Sequence, residues 1–217
     1  FLNFSIWSFC TLIIFGHVMQ AFGLASDFGI FQIAGIIGTA GLFEAYGNAA
    51  LTILDLSGDR SISYYLTLPA RPWVILLSSA CAYACVSAAL SFAMIFFGKL
   101  LLFNTFSLAT ISWLKLMPIL LLANLFYGIL PFAVAGHIGF PSKIGNAWAR
   151  FIFPLWFFGG FQFSWIAMHK ALPVLAYATL ANPVLYAMEG IRTAILGQEG
   201  HLPWLLCLGA LAVASGI

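Results

Sequence analysis

The sequence predicts an all-α integral membrane protein, and three observations support that prediction. Of the 217 residues, 63% are hydrophobic and only 6% are charged, whereas a soluble domain carries roughly a quarter of its residues as charged side chains. The apolar residues form continuous runs, while the strands of a membrane barrel alternate over about ten residues. The net charge of +2 is too small to indicate a polyanionic partner. Soluble enzymes, nucleic-acid binders and disordered tails are therefore excluded.

Six apolar runs are interpreted as transmembrane helices of a single transmembrane domain. They cover approximately residues 4–22, 28–54, 72–97, 106–135, 147–166 and 203–217. The first five are long enough to cross about 30 Å of hydrocarbon at 1.5 Å per residue. Because the chain starts at Phe1 and the last run is short, both ends are expected to be truncated. Lysine and arginine are evenly divided between the two sides, so their count does not give the orientation.

The loop at residues 55–71 is the most polar stretch of the chain. Between Arg60 and Leu68 the apolar residues recur at helical spacing, which predicts a short amphipathic helix at the membrane surface. Pro69 ends this helix, and Pro72 starts the third span. The alternative is an ordinary short connector anchored at the interface.

The long loop at residues 167–202 contains a second feature, the Asn182-Pro183 pair. Asparagine caps helices and proline is tolerated in the first turn, so a helix is predicted over residues 183–196. Glu189 and Arg192 are then spaced i, i+3 and are expected to pair at low dielectric. With residues 165–181 this helix forms a predicted helical hairpin, which is either a lid over an exit path or a packed cap.

Together, these segments resemble the permease subunits of type-2 ATP-binding-cassette (ABC) transporters. The stretch Asn182-Pro183-Val-Leu-Tyr186-Ala-Met-Glu189-Gly-Ile-Arg192 matches the family pattern Asn-Pro-(apolar)2-Tyr-x-x-(Glu/Asp)-Gly-(apolar)-Arg. Before it, and in the same order as in the family, come Leu-Thr-Leu-Pro at 66–69 and a proline- and glycine-containing aromatic run at 153–160. The acidic residues of the family's first loop motif are only partly matched, by Asp59.

The resemblance implies the type-2 ABC exporter fold: six transmembrane helices, a cytoplasmic coupling helix and an outer re-entrant helical hairpin. It implies that two permease copies, identical or related, assemble in the inner cell membrane with ATP-binding-cassette ATPase subunits. ATP and magnesium would be bound by those subunits, and no cofactor or metal is expected in this chain. The cargo would be a lipid, glycan, drug or peptide-like amphipathic molecule.

The resemblance also assigns roles to two groups of residues. The residues expected to contact the ATPase subunit are Asp59, Arg60, Tyr64, Tyr65, Leu68, Pro69 and Arg71. The residues expected in the outer cap are Asn182, Pro183, Tyr186, Glu189 and Arg192.

Glu44 is the acidic residue placed well inside a predicted span, where an ionisable group is costly unless it faces protein or water. It either lines a polar path or is held structurally by Asn48, which is spaced i+4 on the same helix face. Phe157 and Phe161 are further candidates for the lining of a pathway.

Catalytic chemistry is not predicted, because the chain contains no phosphate-binding loop pattern. Two other interpretations stay open. One is a membrane scaffold or assembly subunit, and the other is half of a proton-coupled secondary transporter with Glu44 as the coupling group.

Overall fold

In a computed structural model, the protein is helical along most of its length. The structure describes residues 2–23, 28–55, 71–103, 105–138 and 143–216, together with the single residues 25, 64, 67 and 69. These residues contain helices and turns and no β-strand, so the all-α prediction is confirmed for them.

Four helices are long and apolar enough to cross a membrane. The helix α1 comprises Leu2–Ile13 and continues through a π turn, Ile14–Val18, and a 3-10 turn, Met19–Phe22. The other three are α2 (Phe28–Leu54), α3 (Pro72–Leu101) and α4 (Trp113–Ile138). The chain is therefore a multi-pass membrane protein, as its composition predicts.

The first four predicted spans agree with these helices except at the C-terminal end of the third and at both ends of the fourth, which finishes at Ile138 rather than near residue 135. The third helix starts at Pro72 as predicted, but it continues to Leu101. The fourth starts at Trp113 rather than near residue 106. Ser107 caps a short 3-10 turn, Leu108–Thr110, and the backbone of Ile111 is extended, so the α-helix begins only after it.

The fifth and sixth predicted spans are not confirmed. A helical run over residues 144–158 comprises α5 (Ile144–Ala147), a π turn (Trp148–Ile152) and α6 (Phe153–Phe158). It ends there because Gly159 follows and Gly160 has a φ of +83°, a conformation that glycine readily adopts. At about 22 Å, this run is shorter than the hydrocarbon core of a bilayer.

Four shorter helices complete the described chain. They are α7 (Trp165–Ala171), α8 (Pro173–Thr179), α9 (Pro183–Leu196) and α10 (Trp204–Ala214). The predicted helix at 183–196 and the helical character of 165–181 are confirmed, although Pro173 divides the latter into α7 and α8.

Helix α2 lies at the centre of the fold and packs against α1, α3, α4 and α9. In the most apolar 18-residue stretch of α2, 72% of the residues are buried within the protein, compared with 22% in the corresponding stretch of the first span. Small residues allow this close packing: a Cβ at Gly38 would come within 2.7 Å of the Met188 sulfur, and one at Gly35 within 3.1 Å of the Phe161 ring. Gly35 and Gly38 of α2 thus pack against other segments of the same chain.

The segment 159–203, here called the cap, lies at the end of the fold where α2 and α4 begin. The Ser112 N–H donates to the Ala194 carbonyl at 2.9 Å, and the Trp204 indole donates to the Lys115 carbonyl at 3.1 Å. The polar loop at 55–71 follows the opposite end of α2. The cap and the residue at which the chain enters that loop, Asp55, are therefore at opposite ends of α2.

Candidate functional site

The cap helix α9 begins as the sequence predicts. The side-chain oxygen of Asn182 accepts a hydrogen bond from the Val184 N–H at 3.0 Å, and Pro183 occupies the first turn. The Asn182 amide also donates to the Leu155 carbonyl at 2.6 Å, which ties the start of α9 to α6. Tyr186 donates to the Leu180 carbonyl at 2.8 Å and fixes the preceding turn. Three of the predicted cap residues thus hold the geometry of the cap itself.

Glu189 and Arg192 form a fully buried ion pair one turn further along α9. Their side chains have no solvent exposure, and Arg192 Nη1 lies 3.5 Å from Glu189 Oε1. The predicted pairing of these two residues is confirmed. A buried pair is stable only when further hydrogen bonds satisfy its remaining polar atoms. The surrounding loops provide most of them, although the buried Arg192 Nε has no hydrogen-bond partner among the described residues.

The Glu189 carboxylate accepts from two backbone segments that flank α9. Its Oε1 accepts from the Trp165 N–H, and its Oε2 accepts from the Leu202 N–H, both at 3.1 Å. The Oε2 atom also lies 3.3 Å from His201 Nδ1. The carboxylate therefore joins the start of α7 and the segment before α10 to α9.

The Arg192 guanidinium joins a third segment to the same point. It donates to the Phe161 carbonyl at 2.9 Å and to the Phe163 carbonyl at 3.0 Å. The ring of Phe31, on α2, lies 3.8 Å from the guanidinium carbon, a cation–π distance. The break after α6 exposes the two carbonyls that this cation needs.

We refer to Glu189, Arg192 and His201 as the charge cluster. Burial alone would raise the pKa of Glu189, but the hydrogen bond from His201, the charges of Arg192 and His201 and the N–H of Leu202 outweigh it. The pKa of Glu189 therefore lies below its ordinary value. The cluster holds a carboxylate and a guanidinium, both ionised, between the cap and α2.

Sequence reasoning did not identify His201 or Phe31 as parts of this site. His201 lies in a loop, and its ring stacks against Phe31 with 6.5 Å between centroids. Neither residue is within one helical turn of Glu189, so no helical spacing in the sequence predicts that they contact it. The Gly159-Gly160 pair was the one local sequence signal that the helix ends here and leaves the Phe161 carbonyl free to accept from Arg192.

The predicted ATPase contact is only partly described. Asp59, Arg60, Tyr65 and Leu68 lie outside the described residues. Tyr64, Pro69 and Arg71 are exposed, and Arg71 precedes α3 in an extended conformation that allows Pro72 to start the helix. The expected amphipathic helix stays a prediction.

Glu44 lines a second feature, an aromatic cavity of about 460 Å³ between α1, α2 and the helical run 144–158. Asn48 donates to Glu44 Oε1 at 3.0 Å, as its i+4 spacing predicts. The two aromatic candidates for the pathway do not line this cavity, although their rings contact rings that do. The Phe157 side chain is exposed on the surface, and Phe161 is fully buried against Trp7 and Trp156.

The four cysteines are free thiols. Cys81 and Cys85 lie on an outward-facing side of α3, and Cys207 is buried. The described residues contain no group of three or more histidine, cysteine or acidic side chains able to hold a metal ion.

Comparison of the chain with protein-family profiles, with curated proteins and with solved structures finds no match.

Proposed function

We propose that this chain is the permease subunit of an ATP-driven ABC exporter. Two copies, identical or related, would form the path through the inner membrane, and ATP-binding subunits would dock at the loop 55–71. The cargo is proposed to be an amphipathic molecule that leaves the cytoplasm or the inner leaflet. ATP hydrolysis belongs to the partner subunit, since the sequence of this chain carries no phosphate-binding loop.

The observation that carries this proposal is the position and construction of the cap. The Asn-Pro motif on which the family resemblance depends starts a helix, and its acidic and basic residues form a buried pair that ties three segments together. A hydrogen-bonded helical cap at the start of α2 and a polar sequence after its end fit a subunit that receives mechanical input on one side of the membrane and releases cargo on the other.

The central position of α2 suggests how the two ends communicate. Its C-terminal end leads into the loop 55–71, while Phe31, near its N-terminal end, contacts Arg192 of the charge cluster. A displacement of the loop by the ATPase subunit would therefore be transmitted along one helix to the cap. Packed cores resist continuous deformation and move as rigid elements.

The first experiment is co-purification of the tagged full chain with untagged partners from its own cell. An ATP-binding-cassette subunit is expected in the complex, together with vanadate-sensitive ATPase activity. Recovery of a complex without any ATP-binding subunit that still moves cargo down a proton gradient would contradict the proposal.

A matched pair of variants tests the docking side. Tyr64→Ala, in the loop 55–71, is expected to lower the ATPase activity of the complex several-fold. Tyr177→Ala changes a tyrosine of similar exposure, 60% against 67%, in the cap. This control is expected to leave ATPase activity near the wild-type value. Equal effects of the two substitutions would count against docking at the loop.

A further inference from the structure

Three cavities meet at Phe151, on an exposed face of the helical run 144–158. One, of about 330 Å³, has a polar lining that includes Lys143, Asn146 and Arg150. The second is a groove of about 360 Å³ that follows the run towards the cap. The third is a groove of about 430 Å³ between the run and the end of α4. Phe151 lines all three, so a polar cavity and two grooves share one wall.

The groove towards the cap suits one hydrocarbon chain. Arg150, Pro154 and Phe158 line it at spacings of four residues, so they lie one above another on the run. Leu175 and Ala178 of α8 contribute to the facing wall. The eight residues from Arg150 to Phe158 extend about 12 Å at 1.5 Å per residue, close to the roughly 15 Å of hydrocarbon in one leaflet.

The groove beside α4 lies at the end of the fold opposite the cap. Ala133, Val134 and His137 form its wall on α4, and this helix ends at Ile138. Ala133 and Phe151 are exposed on the surface of the protein. Both grooves therefore open to the surrounding lipid, and Phe151 separates them.

Arg150 lies where the two grooves and the polar cavity come together. Its side chain is exposed and, within the described part of the chain, has no hydrogen-bond or ion-pair partner. Since the adjacent Phe151 shares a groove with His137, Arg150 lies at the level of the last turn of α4. An arginine near the hydrocarbon is costly without an anionic partner, and its fork of five donors matches a phosphate group.

The combination of these features favours a lipid over a protein helix as the occupant. An apolar helix would fill a groove but would leave the guanidinium of Arg150 without a counter-charge. A phospholipid joins one phosphate to two hydrocarbon chains, which is the arrangement of the polar cavity and the two grooves. Basic pockets between membrane helices are typical sites for lipid headgroups.

We infer that this face binds one diacyl phospholipid, with its phosphate on Arg150 and one acyl chain in the groove on each side of Phe151. The lipid is a bound component of the bilayer and not the exported cargo. The inference is therefore independent of the export function, and the binding requires no ATPase subunit.

The test is native mass spectrometry of the purified full chain in a non-ionic detergent, titrated with dioleoylphosphatidylglycerol. Dioleoylglycerol has both chains without the phosphate, and lysophosphatidylglycerol has the phosphate with one oleoyl chain. We expect one phosphatidylglycerol molecule per chain, bound tighter than either comparison lipid by about tenfold or more. Equal affinity for dioleoylglycerol or for the one-chain lipid would overturn the inference.

Two substitutions locate the lipid. Arg150→Gln removes the charge and is expected to weaken phosphatidylglycerol binding to the level of dioleoylglycerol. Ala133→Phe fills the groove beside α4 and is expected to weaken it to the level of the one-chain lipid. The matched controls, Lys170→Gln in the cap and Ala82→Phe on α3, change an exposed cation and an exposed alanine away from these cavities. Both are expected to bind like the wild type, and gel-filtration profiles check that every variant is folded.

The same spectra show whether a second copy of the chain covers this face instead. A wild type that is dimeric, binds no phospholipid and becomes monomeric in Ala133→Phe would overturn the inference. Wild-type affinity for phosphatidylglycerol in Arg150→Gln would overturn it as well. Binding that depends on Arg150 and Ala133 supports the lipid site whether or not an ATP-binding subunit co-purifies with the chain.

Discussion

Replacing Glu189 by glutamine tests whether the charge cluster holds the cap together. In the wild type each carboxylate oxygen has two neighbouring donors: the Trp165 N–H and Arg192 at Oε1, and the Leu202 N–H and His201 at Oε2. A glutamine amide has the same shape but only one oxygen. Whichever way it is turned, its NH2 group faces donors that it cannot satisfy.

The expected loss follows from these contacts. A buried N–H left without an acceptor costs about 1–3 kcal/mol. Arg192, which is fully buried, also loses its counter-charge, and breaking a buried ion pair by removing one partner typically costs about 3–5 kcal/mol in total. In a chain of this length each kcal/mol lowers the melting temperature by about 2–4 °C. We therefore expect Glu189→Gln to lower Tm by on the order of 10 °C.

The assay is thermal unfolding of the full chain in detergent, followed by the loss of the monodisperse gel-filtration peak. Glu199→Gln makes the same chemical change at an exposed position of the cap and is expected to shift Tm by less than about 2 °C. A second variant, Arg192→Met, combined with Glu189→Gln, should cost less than the sum of the two single changes. Equal shifts for the Glu189 and Glu199 variants, or strict additivity in the double variant, would refute the reasoning.

Three further predictions concern the cap and the packing of α3 on α4. Asn182→Ala removes the helix cap and leaves a buried carbonyl of α6 without its donor, so a loss of about 2 kcal/mol in unfolding free energy is expected in denaturant titrations. At Gly128 a Cβ would overlap the Ala80 carbonyl oxygen, so Gly128→Ala is expected to lower Tm by several degrees, while Gly136→Ala, on the same helix with no atom within 4 Å, is not. Because the pKa of Glu189 is lower in the folded chain, its contribution is complete above the unfolded pKa of about 4.3 and is lost as pH falls through the folded value. The Tm of the wild type should therefore drop towards that of Glu189→Gln below about pH 4, and parallel curves for the two proteins would contradict this linkage.

Sequence patterns were sufficient wherever the controlling interactions are local. The asparagine cap and the proline at its first turn placed the start of α9, and an i, i+3 spacing identified the pair of Glu189 and Arg192. The i+4 bond between Asn48 and Glu44 was found in the same way. In each case both partners lie within about one helical turn, so the helix itself fixes their distance.

Hydropathy did not predict the end of a helix where the residues after it are also apolar. The run 147–166 is apolar throughout, and nothing in its hydropathy shows that the helix ends at Phe158. The carbonyls of the broken segment are stabilised by Arg192, which follows Phe161 by 31 residues in sequence. The aromatic cavity is a similar case, since its walls come from three elements and each ring alone is an ordinary apolar residue.

The contacts of the charge cluster also set the order in which the hydrogen bonds of the cap can form during synthesis. Arg192 donates to carbonyls 29 and 31 residues before it, whereas Glu189 accepts from the N–H of Leu202, 13 residues after it. A nascent chain that ends between Arg192 and Leu202 therefore contains both carbonyl acceptors of the guanidinium but not yet the backbone donor of Glu189 Oε2. The cap is therefore completed only after Leu202 has been synthesised, and a chain truncated in that interval would carry a buried-pair carboxylate that lacks one of its backbone donors.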